Sequence, residues 1–236
     1  MNELLAGIRQ RLEGDRVLWA IALVLTLASL VTVYSAISTL AYKADGNSAK
    51  FLFKQAALLA VKADYKKRNI PVRYYQWDDW WTTDFAGDIP GIRNWKPDPL
   101  VFPSGMTDWL GEPLAMYAPA YSIDNNWTQY QWRTDQRAKT SLPIDSRFYH
   151  DLFSNVSAAG LTMTMFEQDW FQYLNTGTNL TNGDIATGDL WTAQMDAAAA
   201  EFNMSIQFCM MNPIHALQST RLQQMTNGRA TWDNHR

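Results

Sequence analysis

Hydrophobic positions divide the chain into two unlike parts. Val17 to Tyr42 runs without a charged residue, between Arg16 and Lys43. As a helix that run is long enough to cross the roughly 30 Å of a bilayer's hydrocarbon. Arg9, Arg11 and Arg16 precede it, which by the positive-inside tendency puts the N-terminus in the cytoplasm and exports the C-terminal domain. A cleaved signal peptide is the competing reading, with VYSA or STLA as small-residue cleavage sites. Phe51 to Val61 begins like a second apolar span and then breaks into KADYKKRN. The pattern therefore predicts a membrane segment over 1–61 and a separate domain over 62–236.

Beyond the seam, short apolar runs alternate with longer amphipathic ones. Ile70–Trp77, Leu114–Ser122, Gly160–Phe166, Met204–Met211 and Gly228–Trp232 read as strands, each nearly all apolar, as in a parallel sheet covered by helices. Phe148–Ala159, Asp189–Phe202 with its four-alanine run, and Ile214–Met225 read as helices. Acidic residues cluster at the strands' C-terminal ends. The expected fold class is α/β: an incomplete (β/α) TIM-type barrel preceded by an N-terminal transmembrane helix, with five of eight strands readable. A doubly wound sheet is the alternative, although no Gly-rich phosphate loop comes after the first strand.

Composition narrows the chemistry. The chain has 236 residues with a formal net charge of -3 and no basic stripe, so nucleic acid is not an expected partner. One cysteine, Cys209, excludes an internal disulfide framework and a multi-cysteine zinc site, and it falls in an apolar run that suits a buried inert thiol better than a nucleophile. No pair of histidines has metal-ligand spacing, so neither metal nor cofactor is expected. His150 and His215 are expected to pack or face solvent. Asn126, Asn155, Asn179 and Asn203 each head a glycosylation sequon, a common coincidence in an Asn- and Thr-rich chain.

Ten of the eleven tryptophans lie after residue 70, and three strand ends mix them with acids: PVRYYQWDDWW (71–81), MFEQDWF (165–171) and RATWDN (229–234). Carboxylates accept hydrogen bonds from hydroxyls, and indole faces stack on the C–H faces of a sugar ring. This combination points to a carbohydrate site. Retaining cleavage of a glycosidic bond takes two carboxyl groups about 5 Å apart. Asp169 and Asp233 are the candidates. Asp78, Asp79, Glu167 and Arg229 are candidate substrate contacts, and Trp80, Trp81 and Trp170 a stacking surface. The bland alternatives are a helix N-cap at Asp78 and Asp79, an ion pair of Glu167 and Asp169 with Arg147 or Arg221, and a frayed terminus at Asp233.

These segments carry two resemblances. GDRVLWAIALVLTLASLVTVYSA with LAYKADGNSAKFLFKQ resembles the start of the SEDS membrane proteins of bacterial cell division and elongation, the FtsW/RodA family, over about a quarter of the chain. None of that family's active-site residues carries over. From about residue 62, IPV-Y-Q-DDWW, FPSGM, GLTMTMFEQDW and RATWDN resemble, in the same order, segments of the α-galactosidase and raffinose-synthase group, the glycoside hydrolase family 36-like barrels. That resemblance implies hydroxyl binding by Asp78 and Asp79, a nucleophile at Asp169 and an acid/base at Asp233. Two departures stand out. Glu167 occupies the place of a customary lysine, and Trp232 interrupts the usual Arg-Ala-Ser-Asp-Asp-like stretch, which puts galactose specificity in question. The expected function is a retaining glycoside hydrolase for α-linked sugars, in an incomplete fragment. The alternatives are a cell-wall membrane protein and a chimeric chain without activity.

Overall fold

The structure is a computed structural model that describes residues 60–78, 81–82, 91–99, 101–102 and 105–229. The chain divides into two compact units, Met1–Asn69 and Ile70–Arg236. In the first unit the described part is helix α1 (60–67), which ends beside an exposed Arg68–Asp64 ion pair at 2.8 Å.

The second unit is built on two sheets. Five parallel strands form the larger in the order β1 (Tyr75–Trp77), β3 (Pro113–Ala118), β7 (Thr162–Gln168), β8 (Ser205–Cys209), β9 (Met225–Arg229). The smaller is mixed, in the order β2 (Gly91–Ile92), β4 (Ala120–Ser122), β6 (Thr140–Pro143), β5 (Trp132–Asp135). Helices α2 (Arg147–Ala158), α3 (Ile185–Glu201) and α4 (Pro213–Ser219) come after β6, β7 and β8.

Local chemistry explains these boundaries. Leu114–Ser122, expected as one strand, is two strands in different sheets. Pro119 lies between them, and a proline cannot donate to a ladder. The buried Gln168 amide fixes the break by donating to the carbonyls of Ala118 and Pro119 at 3.2 and 3.0 Å. Helix α2 buries Phe148, Tyr149, Leu152, Phe153 and Val156 along one stripe and stops at Gly160, whose φ of 79° suits a residue without a Cβ. Asp184 caps α3 by accepting from the Ala186 N–H at 3.0 Å. Aromatic contacts cover one sheet face: Phe153 of α2 against Phe166 at 5.1 Å, and Phe171, in the segment after β7, against Phe208 at 4.2 Å. Beneath them Trp191 donates to the Tyr149 hydroxyl at 2.7 Å, which in turn donates to Gln168.

The expected fold class is thereby corrected. The described residues form a mixed α/β structure with one parallel and one mixed sheet, and β1 and β9 are the edge strands of the parallel sheet among them. A (β/α) TIM-type barrel lacks the second sheet, which here takes up the connection between β3 and β7. Among the described residues no helix is long and apolar enough to cross a membrane. The expected membrane segment, Val17–Tyr42, lies outside the described residues. One helix boundary also shifts: the helix expected over Ile214–Met225 ends at Ser219, and Met225 opens β9.

Candidate functional site

Side chains alternate across a strand, so positions two apart share a face. The registers Tyr117↔Glu167, Glu167↔Gln207 and Cys209↔Arg229 put those residues on one face of the parallel sheet, towards its C-terminal end. Gln76 joins them from β1, and Asp169 lies two residues beyond Glu167, just past β7. Asp78 lies just past β1 in the same way. Phe166, Ile206 and Phe208 point to the opposite face, under the helices. The sheet therefore has an apolar, helix-covered side and a polar side, and the acids gather on the second.

Glu167 is 3% exposed. Gln76 donates to its Oε2 at 2.5 Å and Gln207 to its Oε1 at 2.8 Å, so glutamines from two other strands hold one carboxyl. Burial comes first among the causes that push its pKa up to about 7, followed by the negative charges of Asp78 and Asp169; the two amides pull the other way. Asp169 is 4% exposed, and its Oδ1 accepts from the Trp170 N–H at 2.6 Å. Burial raises its pKa as well, opposed by hydrogen bonds from Cys209 and the Trp170 backbone and by the charge of Arg229.

Cys209 connects the acid to the cation. The Arg229 guanidinium donates to its sulfur from Nη2 at 2.6 Å and from Nε at 3.1 Å. Burial and the neighbouring Asp169 push the thiol's pKa up, so Cys209 stays protonated and suits a structural link rather than a nucleophile. Trp170 has a left-handed backbone, φ 64°, and Met210 repeats this after β8 with φ 56°. Such a backbone is strained for a residue with a Cβ and concentrates at functional sites. It turns the chain sharply at each strand end. The half-buried Trp170 indole is fixed by donation to the Tyr117 hydroxyl at 3.1 Å.

The structure brings together Asp78, Glu167, Asp169, Trp170 and Arg229. Trp81 takes a different place: it is 1% exposed, packs edge-on against Trp95 at 5.2 Å and donates to the Tyr117 carbonyl at 3.0 Å. Its indole is core, not a stacking wall. Asp79, Trp80 and Asp233 lie outside the described residues. The ion pairs considered for Glu167 and Asp169 are not formed, because Arg147 pairs with Asp145 and Arg221 with Asp189, each at 2.8 Å. His215 is buried, and its Nδ1 accepts from the Asn212 N–H at 3.0 Å at the start of α4; burial lowers its pKa to about 4. His150 is half-exposed beside Asp151. Among the described residues no group of three or more His, Cys, Asp or Glu is placed to hold a metal ion.

Sequence reasoning missed Gln76, Gln207 and Tyr117. Gln207 was the readable one, a polar residue in the middle of the largely apolar run SIQFC. No family model, curated protein or solved structure matches this chain.

Proposed function

We propose that the polar end of the parallel sheet is the site of a retaining glycoside hydrolase for α-linked sugars, with Asp169 as nucleophile. The observation that carries this reading is the pair of buried carboxyls, Glu167 near the end of β7 and Asp169 just past it, held in different environments. Groups so arranged divide acid and base work between them. Asp169 is the better anion of the two, since a backbone N–H, the Cys209 thiol and the Arg229 charge all favour its ionised form. Asp78 and Gln76 supply acceptors and donors for sugar hydroxyls, and Trp170 supplies an oriented aromatic face. The resemblance in the sequence assigns the same role to Asp169.

Release of p-nitrophenol from α-galactoside and α-glucoside substrates tests the reading. The wild type is expected to turn over at least one of them. Asp169→Asn is expected to lose about 10³-fold or more in kcat/KM. Equal rates in the two proteins would remove Asp169 from the chemistry.

A further inference from the structure

We propose that helix α1 is a contact for an anionic lipid surface. Val61 and Tyr65 enter the headgroup layer, and the lysines beside them bind its phosphates and carboxylates. The proposal is independent of the function given to the polar end of the parallel sheet.

Three observations carry it. The first is an apolar stripe turned to solvent. Val61 is 46% exposed and Tyr65 39% exposed, although both are large. Residues four apart on a helix lie about 40° apart around its axis, so the two form one stripe. A helix that serves a core buries such a stripe, as α2 does with Phe148, Leu152 and Val156.

The second is charge. Lys62, Lys66, Lys67 and Arg68 fall within one short stretch that holds a single acid, Asp64, which Arg68 pairs at 2.8 Å. Lys66 and Lys67 are exposed and pair with no acid among the described residues. The whole chain has a formal net charge of -3, so this cationic stretch runs against the balance of the protein. Cations in a last helical turn also favour the helix dipole. That accounts for Lys66 and Lys67 but not for an apolar stripe facing water.

The third is how the two features combine. Lys62 directly follows Val61 and Lys66 directly follows Tyr65, so each apolar side chain has a cation at its flank. A lysine stem lies along apolar surface while its ammonium reaches outward, and a tyrosine ring suits the boundary between acyl chains and headgroups. A groove on an acidic protein fits less well. Such grooves take anchors at i, i+3, i+4 and i+7, whereas α1 offers large apolar residues at i and i+4 alone.

Cys209 is the chain's one cysteine and is buried, so Val61→Cys can be labelled selectively with a polarity-sensitive dye in the folded, full-length chain. The dye is expected to brighten and shift to the blue with vesicles of phosphatidylcholine containing about 30% phosphatidylserine, and to change little with phosphatidylcholine alone. Raising NaCl from about 0.1 to about 0.5 M is expected to abolish the response. Lys66→Gln with Lys67→Gln is expected to weaken binding to the acidic vesicles about 20-fold, since each cation near such a surface is worth about fivefold. The salt series needs no change in the basic stretch, so it reads the charge even where the double variant unfolds. An equal response to both vesicles, no response to either, or a response unmoved by salt overturns the proposal. A response to soluble poly-glutamate as large as that to the acidic vesicles also overturns it, and makes α1 a face for an acidic polypeptide.

Discussion

Asp135 in the small sheet and Asp169 in the large one are buried to nearly the same degree, 7% and 4% exposed, yet their acidities move in opposite directions. Asp135 closes the β5–β6 turn. Its Oδ1 accepts from the N–H groups of Arg137 and Ala138, both at 2.9 Å, and its Oδ2 from that of Asn179 at 2.7 Å. Those fixed donors hold its pKa below the usual carboxylate range. Asp169 has one backbone donor, and Glu167 is held by two side-chain amides. Depth and donors act together: burial is the leading cause that raises the pKa of Asp169, whereas backbone N–H groups outweigh burial at Asp135. One sheet uses its carboxylate to hold a loop, and the other holds two carboxyls whose pKa values burial raises.

Removing the donors' partner should have the largest effect on stability. Asp135→Ala orphans three backbone N–H groups and is expected to cost about 3 kcal/mol in chemical denaturation at pH 7. The pH dependence carries the sign. A lowered folded pKa gives stability that is present above the unfolded value of 3.8 and lost as pH falls through the folded one. Asp135→Ala should therefore flatten the acid end of the stability curve. A variant as stable as the wild type at pH 7 would break the comparison on this side.

Glu167→Gln should act in the opposite direction. With a folded pKa of about 7 against an unfolded 4.5, the native state binds the proton more tightly, so wild-type stability falls as pH rises across that window. The variant is expected to gain on the order of 2 kcal/mol at pH 8 and nothing at pH 4. A loss of stability at pH 8 would mean that Glu167 is a structural anion like Asp135. The smallest effect belongs to Asp145, whose pKa falls to about 2 beside Arg147. That partner is exposed, so solvent screens the pair, and Asp145→Asn should leave the unfolding midpoint almost unchanged.

Helices α2 and α3 were readable because their signals are local: an apolar stripe at helical spacing and an alanine run. Strands β7 and β8 were readable as apolar runs of the right length. The second sheet was not, because β5 and β6 are four residues each and carry Arg133, Asp135 and Thr140 among their positions. Pro119 was visible, but its consequence, a change of sheet in mid-run, depends on partners far away in sequence. The site divides in the same way. Acids at strand ends are legible, and that is how Glu167 and Asp169 were found. The glutamine clamp depends on register across β1, β7 and β8, which no local pattern records. Trp81 illustrates the ambiguity of aromatics: an indole among acids suits a sugar or a core equally, and here Trp77, Trp95 and the Tyr117 carbonyl take it into the core.

In the proposed reaction Asp169 forms a covalent bond to the sugar. Incubating the full chain with an activated α-galactosyl fluoride whose glycosyl-enzyme turns over slowly, then mapping peptides by mass spectrometry, tests it most directly. One added glycosyl group on the peptide containing Asp169, absent from Asp169→Asn, is the predicted result. A chain that hydrolyses α-galactosides yet carries its adduct on another residue, or carries none, would contradict it.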